Sequence, residues 1–182
     1  NGDVSCWGLN LDGQLGCGSC GNQKNTPTLT SSLGTGRTAV AISSGGYHTC
    51  VILDNGAVSC WGTGTYGVLG NGANNAGGKD TPTLTSSLGS GRTAVALSSG
   101  TEHTCAILDN GSVSCWGHGS YGRLGYGGTY PLSDKTTPTL TSSLGSGRTA
   151  VALSSGSEHT CALLDNGSAS CWGRQSYGQL GN

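Results

Sequence analysis

The sequence predicts an all-β array of four-stranded, propeller-like blades. Three observations lead there: a phrase of about 55 residues that keeps returning, glycine too frequent for long helices, and short β-branched runs set between turn clusters.

The repeat is read first, because it fixes the period of everything else. Cys-Trp-Gly begins at Cys6, Cys60, Cys115 and Cys171, so the units run approximately over 6–59, 60–114 and 115–170, with a partial unit at 171–182. Each unit opens with Trp-Gly and a loop ending in Tyr-Gly-x-Leu-Gly, as in "WGTGTYGVLG" from Trp61; the first copy, "WGLNLDGQLG" from Trp7, has no tyrosine. A variable polar loop follows. Then "TPTLTSSLGSGRTAVALSSG" returns from Thr81 and Thr137, and almost unchanged from Thr26. The unit closes on a cysteine-flanked phrase, "HTCAILDNGSVSCWG" from His103, with copies from His48 and His159. The chain opens inside this phrase, at "NGDVSCWG", so a segment upstream of Asn1 is expected.

Three strands per unit follow from the β-branched runs "TAVAL", "TCAIL" and "SVSCW", and a fourth is expected near "TPTLTSSL". Proline at 27, 82 and 138 suits an edge or the start of that fourth strand. Four-stranded units repeated radially form a β-propeller.

The register of the cysteine hairpin can be counted. Asp109-Asn110-Gly111 fits a three-residue loop, a type I turn followed by a left-handed glycine. Leu108 then faces Ser112, Ile107 faces Val113, and Cys105 faces Cys115. A two-residue Asn-Gly turn would instead set Cys105 against Trp116. The bulged register brings both sulfurs to one face, within disulfide reach. The same count pairs Cys50 with Cys60 and Cys161 with Cys171. Trp116 falls on the opposite face, beside Leu108 and Ala106, and Trp7, Trp61, Trp116 and Trp172 are expected as structural core between units. Leu69, Leu124 and Leu180 are expected in the same layers.

Metal and catalytic readings of the phrase are weaker. Zinc sites bring four close ligands at C-x2-4-C or H-x3-5-H spacing, which this phrase lacks. One active site has no need of three near-identical copies, so no catalytic residue and no metal ligand is assigned. His48, His103 and His159 are expected to make a structural hydrogen bond inside each blade, and the unrepeated His118 to lie in a loop. The lone "CGSC" at Cys17–Cys20 has a redox reading, but no thioredoxin-like pattern surrounds it, and a small loop disulfide is preferred. Nine cysteines leave Cys6 over, unpaired or intermolecular.

Charge and composition bound the function. Only 9% of the 182 residues are charged, the net charge is -1, Gly is 35, and Phe and Met are absent. This gives no footprint for nucleic acid, no thick single core, and no run of ~18 apolar residues to span a bilayer. No signal peptide is visible. No cofactor is implied. "NGS" at Asn110 and Asn166 matches the glycosylation sequon at exposed hairpin turns, and the Thr-Pro-Thr segments have room for O-linked glycans.

The run "AVALSSGSEHTCALLDNGSASCWGRQSYGQLG" from Ala150 resembles the repeat of the regulator-of-chromosome-condensation (RCC1-like) family, and the likeness covers essentially the whole chain. The resemblance implies β-propeller blades, commonly seven to a ring. Three repeats and a partial one would make an open or fragmentary propeller. Two cysteines in each hairpin resemble secreted members of the family, and disulfides favour an extracellular home, secreted or at the cell surface. The family's exchange-factor activity is not carried over, because nothing here matches the loops that perform it.

Two functions compete. One is structural: a secreted, disulfide-stapled protein that self-associates, as a subunit of an extracellular fibre or coat. The other is an extracellular binding module for proteins, or an enzyme inhibitor. A binder concentrates aromatics and arginine in its variable loops. Of "CGSCGNQKN", "NGANNAGGKD" and "YGGTYPLSDKT", only the third has aromatics, Tyr126 and Tyr130, which tilts the expectation toward structure. An enzyme is the least favoured reading. The open edge of the strand holding Cys6 is expected to be completed from outside these residues, by upstream chain or a neighbouring subunit.

Overall fold

The computed structural model describes residues 2–129 and 131–181; Tyr130 lies outside the described residues. Among the described residues thirteen strands form four antiparallel sheets. The first pairs β1 (Ser5–Leu9) with β2 (Gln23–Leu29). The second has the order β3 (Ala39–Ser44), β4 (His48–Leu53), β5 (Val58–Gly64), β6 (Asn75–Leu84). The third repeats it with β7 (Ala94–Ser99), β8 (His103–Leu108), β9 (Val113–Gly117) and β10 (Lys135–Leu140). The fourth holds β11 (Ala150–Ser155), β12 (His159–Leu164) and β13 (Ala169–Gly173). Among the described residues the sheets follow one another as blades without closing a ring. The inner strands β3, β7 and β11 lie side by side, where Ser99 N donates to Ser43 Oγ at 3.0 Å and Ser155 N to Ser98 Oγ at 2.8 Å.

The hairpins take the bulged register. Leu108 N donates to Ser112 O, Gly111 N to Leu108 O (both 2.8 Å), and Cys105 faces Cys115. Gly111 has φ 77°, and a Cβ there would fall 2.4 Å from Thr149 Cβ, so both the turn and the next blade demand glycine. The Cys50–Cys60, Cys105–Cys115 and Cys161–Cys171 pairs are bonded with Cα atoms 4.1 Å apart, and Cys17–Cys20 is bonded as well.

Alternation on each hairpin builds the core between blades rather than inside them. One face of the second sheet carries Cys50, Ile52, Val58 and Cys60, and it packs against Ala106, Leu108 and Trp116 of the third. Cys105, Ile107, Val113 and Cys115 meet Ala162, Leu164 and Trp172 in the same way. These two interfaces each join a disulfide face to a tryptophan face, and at the first interface the free Cys6 with Val4 takes the place of the disulfide against Trp61. Leu15 shares a layer with Trp61, Leu69 with Trp116 and Leu124 with Trp172, so each leucine serves the tryptophan of the following unit. Leu180 is partly buried outside these layers.

Trp61 and Trp116 are fully buried and Trp172 half-buried. Trp7 corrects the expectation of a fourth core tryptophan: it is 62% exposed. A tryptophan is covered by the cysteine-bearing face of the blade before it, and among the described residues no blade precedes the first sheet. Cys6, by contrast, lies on the other face, buried against Leu15 and Trp61 as a free thiol. Burial pushes the thiol pKa up.

The tryptophans separate in a mutational test. Trp116→Ala is expected to cost about 3–5 kcal/mol in chemical denaturation, and Trp7→Ala less than about 1 kcal/mol. Equal losses would contradict the face-to-face stacking.

A candidate protein-docking rim

The Trp-Gly loops gather at one rim of the blades, on the edge where β4, β8 and β12 begin; the Asp-Asn-Gly turns occupy the opposite rim. What holds each loop is a backbone carbonyl. Trp116 Nε1 donates to Val68 O at 2.9 Å, and Thr104 Oγ1 donates to the same oxygen at 3.4 Å. Gln14 O serves Trp61 and Thr49, and Arg123 O serves Trp172 and Thr160. The threonines in turn accept from histidine: His48 Nε2 lies 2.8 Å from Thr104 Oγ1, and His103 Nε2 2.9 Å from Thr160 Oγ1. Because each hydroxyl proton is spent on a carbonyl, the imidazole Nε2–H must be the donor. These bonds run between blades, not inside each blade as the repeat pattern led one to expect.

The glycine of the loop packs just as tightly. A Cβ on Gly70 would sit 2.7 Å from Trp116 Nε1. Anchored in this way, the loop turns through a tyrosine in the left-handed region: Tyr66 has φ 59° and Tyr121 φ 60°. A bulky residue there is strained by an amount of order 1–3 kcal/mol, and such strain concentrates at functional sites.

Around these tyrosines the rim carries a continuous set of side-chain contacts. The rings of Tyr66 and His118 stack with centroids 4.0 Å apart. His118 Nδ1 is 3.0 Å from Glu102 Oε2 and its Nε2 is 2.9 Å from Ser120 Oγ. Arg123 Nη1 lies 3.7 Å from Glu102 and Nη2 3.5 Å from Glu158, and Arg174 Nη1 lies 2.6 Å from Glu158. The guanidinium of Arg174 stands 5.0 Å from the Tyr121 ring centroid and 5.7 Å from that of Tyr177. The Arg174 hydrogen bond holds the Glu158 carboxyl below its usual range despite an opposing desolvation. Burial lowers the Arg123 pKa, partly offset by Glu158 and Glu102. Tyr121 and Tyr177 remain 50% and 85% exposed. Tyrosine and arginine are the side chains that dominate protein–protein contacts, and here they are held in place by ion pairs rather than free to swing.

Sequence reasoning looked for such residues in the variable loops and missed them in the repeated Trp-Gly loop, whose tyrosine recurs while Arg123, Arg174 and His118 stand at positions that vary between copies. The available signal was a tyrosine at constant period, wedged before glycine, with aspartate (Asp12) in the first copy. Tyr126 instead serves its own loop, its hydroxyl donating to Ser133 O with Lys135 Nζ 4.5 Å from the ring centroid. The sequon residues Asn110 and Asn166 are exposed at the opposite rim, where each Oδ1 accepts from the backbone two residues on, at Ser112 and Ser168. Among the described residues no three His, Cys, Asp or Glu side chains are grouped to hold a metal, and no helix is long and apolar enough to cross a membrane.

With loop, hairpin and interface geometry established, the repeat can be matched. Models of the regulator of chromosome condensation (RCC1) repeat match residues 1–52, 55–107 and 110–163, and a second such model matches 39–68, 94–123 and 150–179. The chain belongs to the RCC1 repeat family. It is 33% identical over 180 residues to the probable E3 ubiquitin-protein ligase HERC4 of Homo sapiens, covering 98% of this chain and 16% of that protein. It is 32% identical over 184 residues to the human E3 ubiquitin-protein ligase HERC2, covering 4% of it. Prp20p of Saccharomyces cerevisiae superposes with a TM-score of 0.83 at 26% identity, over 99% of this chain and 43% of that one. Human WBSCR16 does so at 0.82 and 23% identity, which speaks for the fold. The chain thus spans a small part of the ligases it matches and less than half of the solved propellers.

The histidine bonds predict an acid response. Burial lowers the His48 pKa to about 4 and, with the Arg123 charge adding to it, that of His103 to about 3, against 6.5 when unfolded. Above pH 6.5 both states are neutral and stability is flat with respect to these groups. As pH falls below 6.5 the unfolded chain binds protons that the folded chain refuses, so stability drops, by on the order of 3 kcal/mol for His48 by pH 4. Thermal midpoints measured from pH 8 to 4 should show this fall, and His48→Gln should flatten part of it. A profile level down to pH 4 would contradict the buried neutral imidazoles.

Proposed function

We propose that this RCC1-type propeller segment is a non-catalytic protein-binding scaffold whose docking face is the tyrosine–arginine rim. The observation that carries the reading is the pair of left-handed tyrosines, Tyr66 and Tyr121, held strained at a rim where ion pairs fix the neighbouring arginines. Prp20p is described with binding to Gsp1p and histones, which supports protein binding as the general use of the fold. The ligase chemistry in the names of the HERC relatives is not proposed here, since the chain matches 16% or less of their length.

The bridges support an oxidising, extracellular setting, and the exposed Asn110 and Asn166 turns are accessible to glycan addition. Self-association, as a fibre or coat, is the second reading. It draws on β1, whose ladder is made to β2 alone among the described strands, and not on Cys6, whose thiol is buried. Non-reducing mass measurement distinguishes the two: the scaffold reading gives a monomer, and assembly gives a ladder of oligomers.

The rim reading is tested with asparagine, which tolerates the left-handed backbone far better than tyrosine. Tyr66→Asn, Tyr121→Asn and Tyr177→Asn together should keep or raise the thermal midpoint while reducing capture of protein partners at least about tenfold, as loss of hot-spot residues does. Arg37→Gln, Arg92→Gln and Arg148→Gln on the opposite rim should leave capture unchanged. Capture that survives the tyrosine changes would overturn the reading. Peptide mapping without reductant should find Cys50–Cys60, Cys105–Cys115 and Cys161–Cys171 bonded; free thiols there would remove the extracellular setting.

A further inference from the structure

Two adjacent points of the rim occupy equivalent places in the repeat and differ in the side chain at their centre, arginine in one and valine in the other. At the junction of the third and fourth sheets, the Arg123 side chain is 2% exposed, set between Glu102 and Glu158. Its Nε donates to Ser120 O at 3.0 Å, and its guanidinium lies 5.7 Å from the Tyr121 ring centroid. One repeat earlier the position of Arg123 belongs to Val68, that of Tyr121 to Tyr66, and that of Glu158 to Glu102. There Val68 floors a recess of about 230 Å³ walled by Asp12, Tyr47, Tyr66 and Glu102, with Thr63 and Thr65 between them. Glu102, Tyr66 and Thr65 of this wall stand where Glu158, Tyr121 and Ser120 stand around Arg123, whereas Tyr47 holds the place of Glu102, Thr63 that of His118 and Asp12 that of Tyr66. The recess therefore keeps one tyrosine and one carboxylate of the set around the Arg123 guanidinium, gains a second carboxylate in Asp12 and a second ring in Tyr47, and has a neutral valine where the arginine stands.

We propose that this recess binds the guanidinium of an arginine side chain presented by a protein partner. The proposal rests on the reading of the rim as a docking face. A guanidinium is planar, weakly hydrated and stacks on tyrosine while its N–H fork reaches carboxylates; an ammonium is compact and strongly hydrated and fits these walls less well. Asp12 and Tyr47 are exposed at the mouth, and Glu102, shared with His118 and Arg123, closes the inner side. The chain's own Arg123 is the internal template for the mode of binding.

The test uses the disulfide-intact chain and three capped tripeptides: acetyl-Gly-Arg-Gly-amide, its lysine analogue, and its citrulline analogue, which keeps the shape without the charge. The Tyr47 and Tyr66 ring resonances are followed by NMR. The arginine peptide should shift both and saturate, while the citrulline peptide binds about tenfold more weakly and the lysine peptide several-fold more weakly. Asp12→Asn and Tyr47→Ala, both at exposed positions, should each weaken arginine binding about three- to tenfold without lowering the thermal midpoint. Val68→Arg, which copies the Arg123 arrangement, should abolish it by filling the recess from within. Arginine and citrulline peptides that bind alike, lysine that binds as well as arginine, or Asp12→Asn and Tyr47→Ala variants that bind like the parent would each overturn the proposal. A rim whose Tyr121 and Tyr177 variants release a protein partner while the recess ignores arginine would overturn this inference alone.

Discussion

One backbone carbonyl per unit carries the architecture: Gln14 O, Val68 O and Arg123 O. Each accepts the indole N–H of the next blade's tryptophan and the hydroxyl of its threonine, and so spends both lone pairs on its neighbour. A chain with 35 glycines and no phenylalanine cannot build a thick core within a blade. It builds thin layers between blades instead, where a tryptophan, a leucine and a disulfide supply the apolar area, and the carbonyl satisfies the one polar atom that the indole must bury. The histidine that donates to the same threonine adds a second polar link across the interface, and burial keeps its imidazole neutral.

The same bond links stability to the rim. The residue just before the accepting carbonyl's own is the loop glycine, and before that stands the left-handed tyrosine, Tyr66 or Tyr121. Packing of Trp116 under this loop over-determines its backbone, which is how a strained tyrosine can persist. The rim is therefore not a set of free loops laid over a scaffold; its geometry is the outer side of the interface between blades. The neighbouring arginines are placed by the carboxylates Glu102 and Glu158, which stand one residue before His103 and His159. Interface and proposed docking face share the same few residues of each repeat.

Much of this was legible in the sequence, for reasons of period. The bulged Asp-Asn-Gly turn determined which cysteines face each other, and alternation then put tryptophan on the opposite face; both appear in the β8–β9 ladder. Period says where a residue stands in its unit, but not which unit it touches. That is why the histidine bonds were expected inside blades and were found between them, why Leu69 serves Trp116 rather than Trp61, and why Trp7 was grouped with its buried copies. The rim was hidden by a different assumption. Invariance was read as structural filler, and recognition was sought in variable loops, whereas Tyr66, Tyr121, Glu102 and Arg174 all sit in or beside the constant phrase. Only the departures from the repeat — Val68 against Arg123, Thr63 against His118 — show where one rim position differs from the next.

If blade stacking and rim geometry are one structure, disturbing the first must loosen the second. The direct measurement is hydrogen–deuterium exchange over residues 63–70 in the parent chain and in Trp116→Phe, which keeps most of the apolar volume but cannot donate to Val68 O. The account predicts that backbone amides of this loop, on the blade before the substitution, lose protection while the β8–β9 hairpin that carries residue 116 keeps most of its own. Unchanged protection over 63–70 would contradict it, and would show that the loop holds its strained tyrosine without the tryptophan.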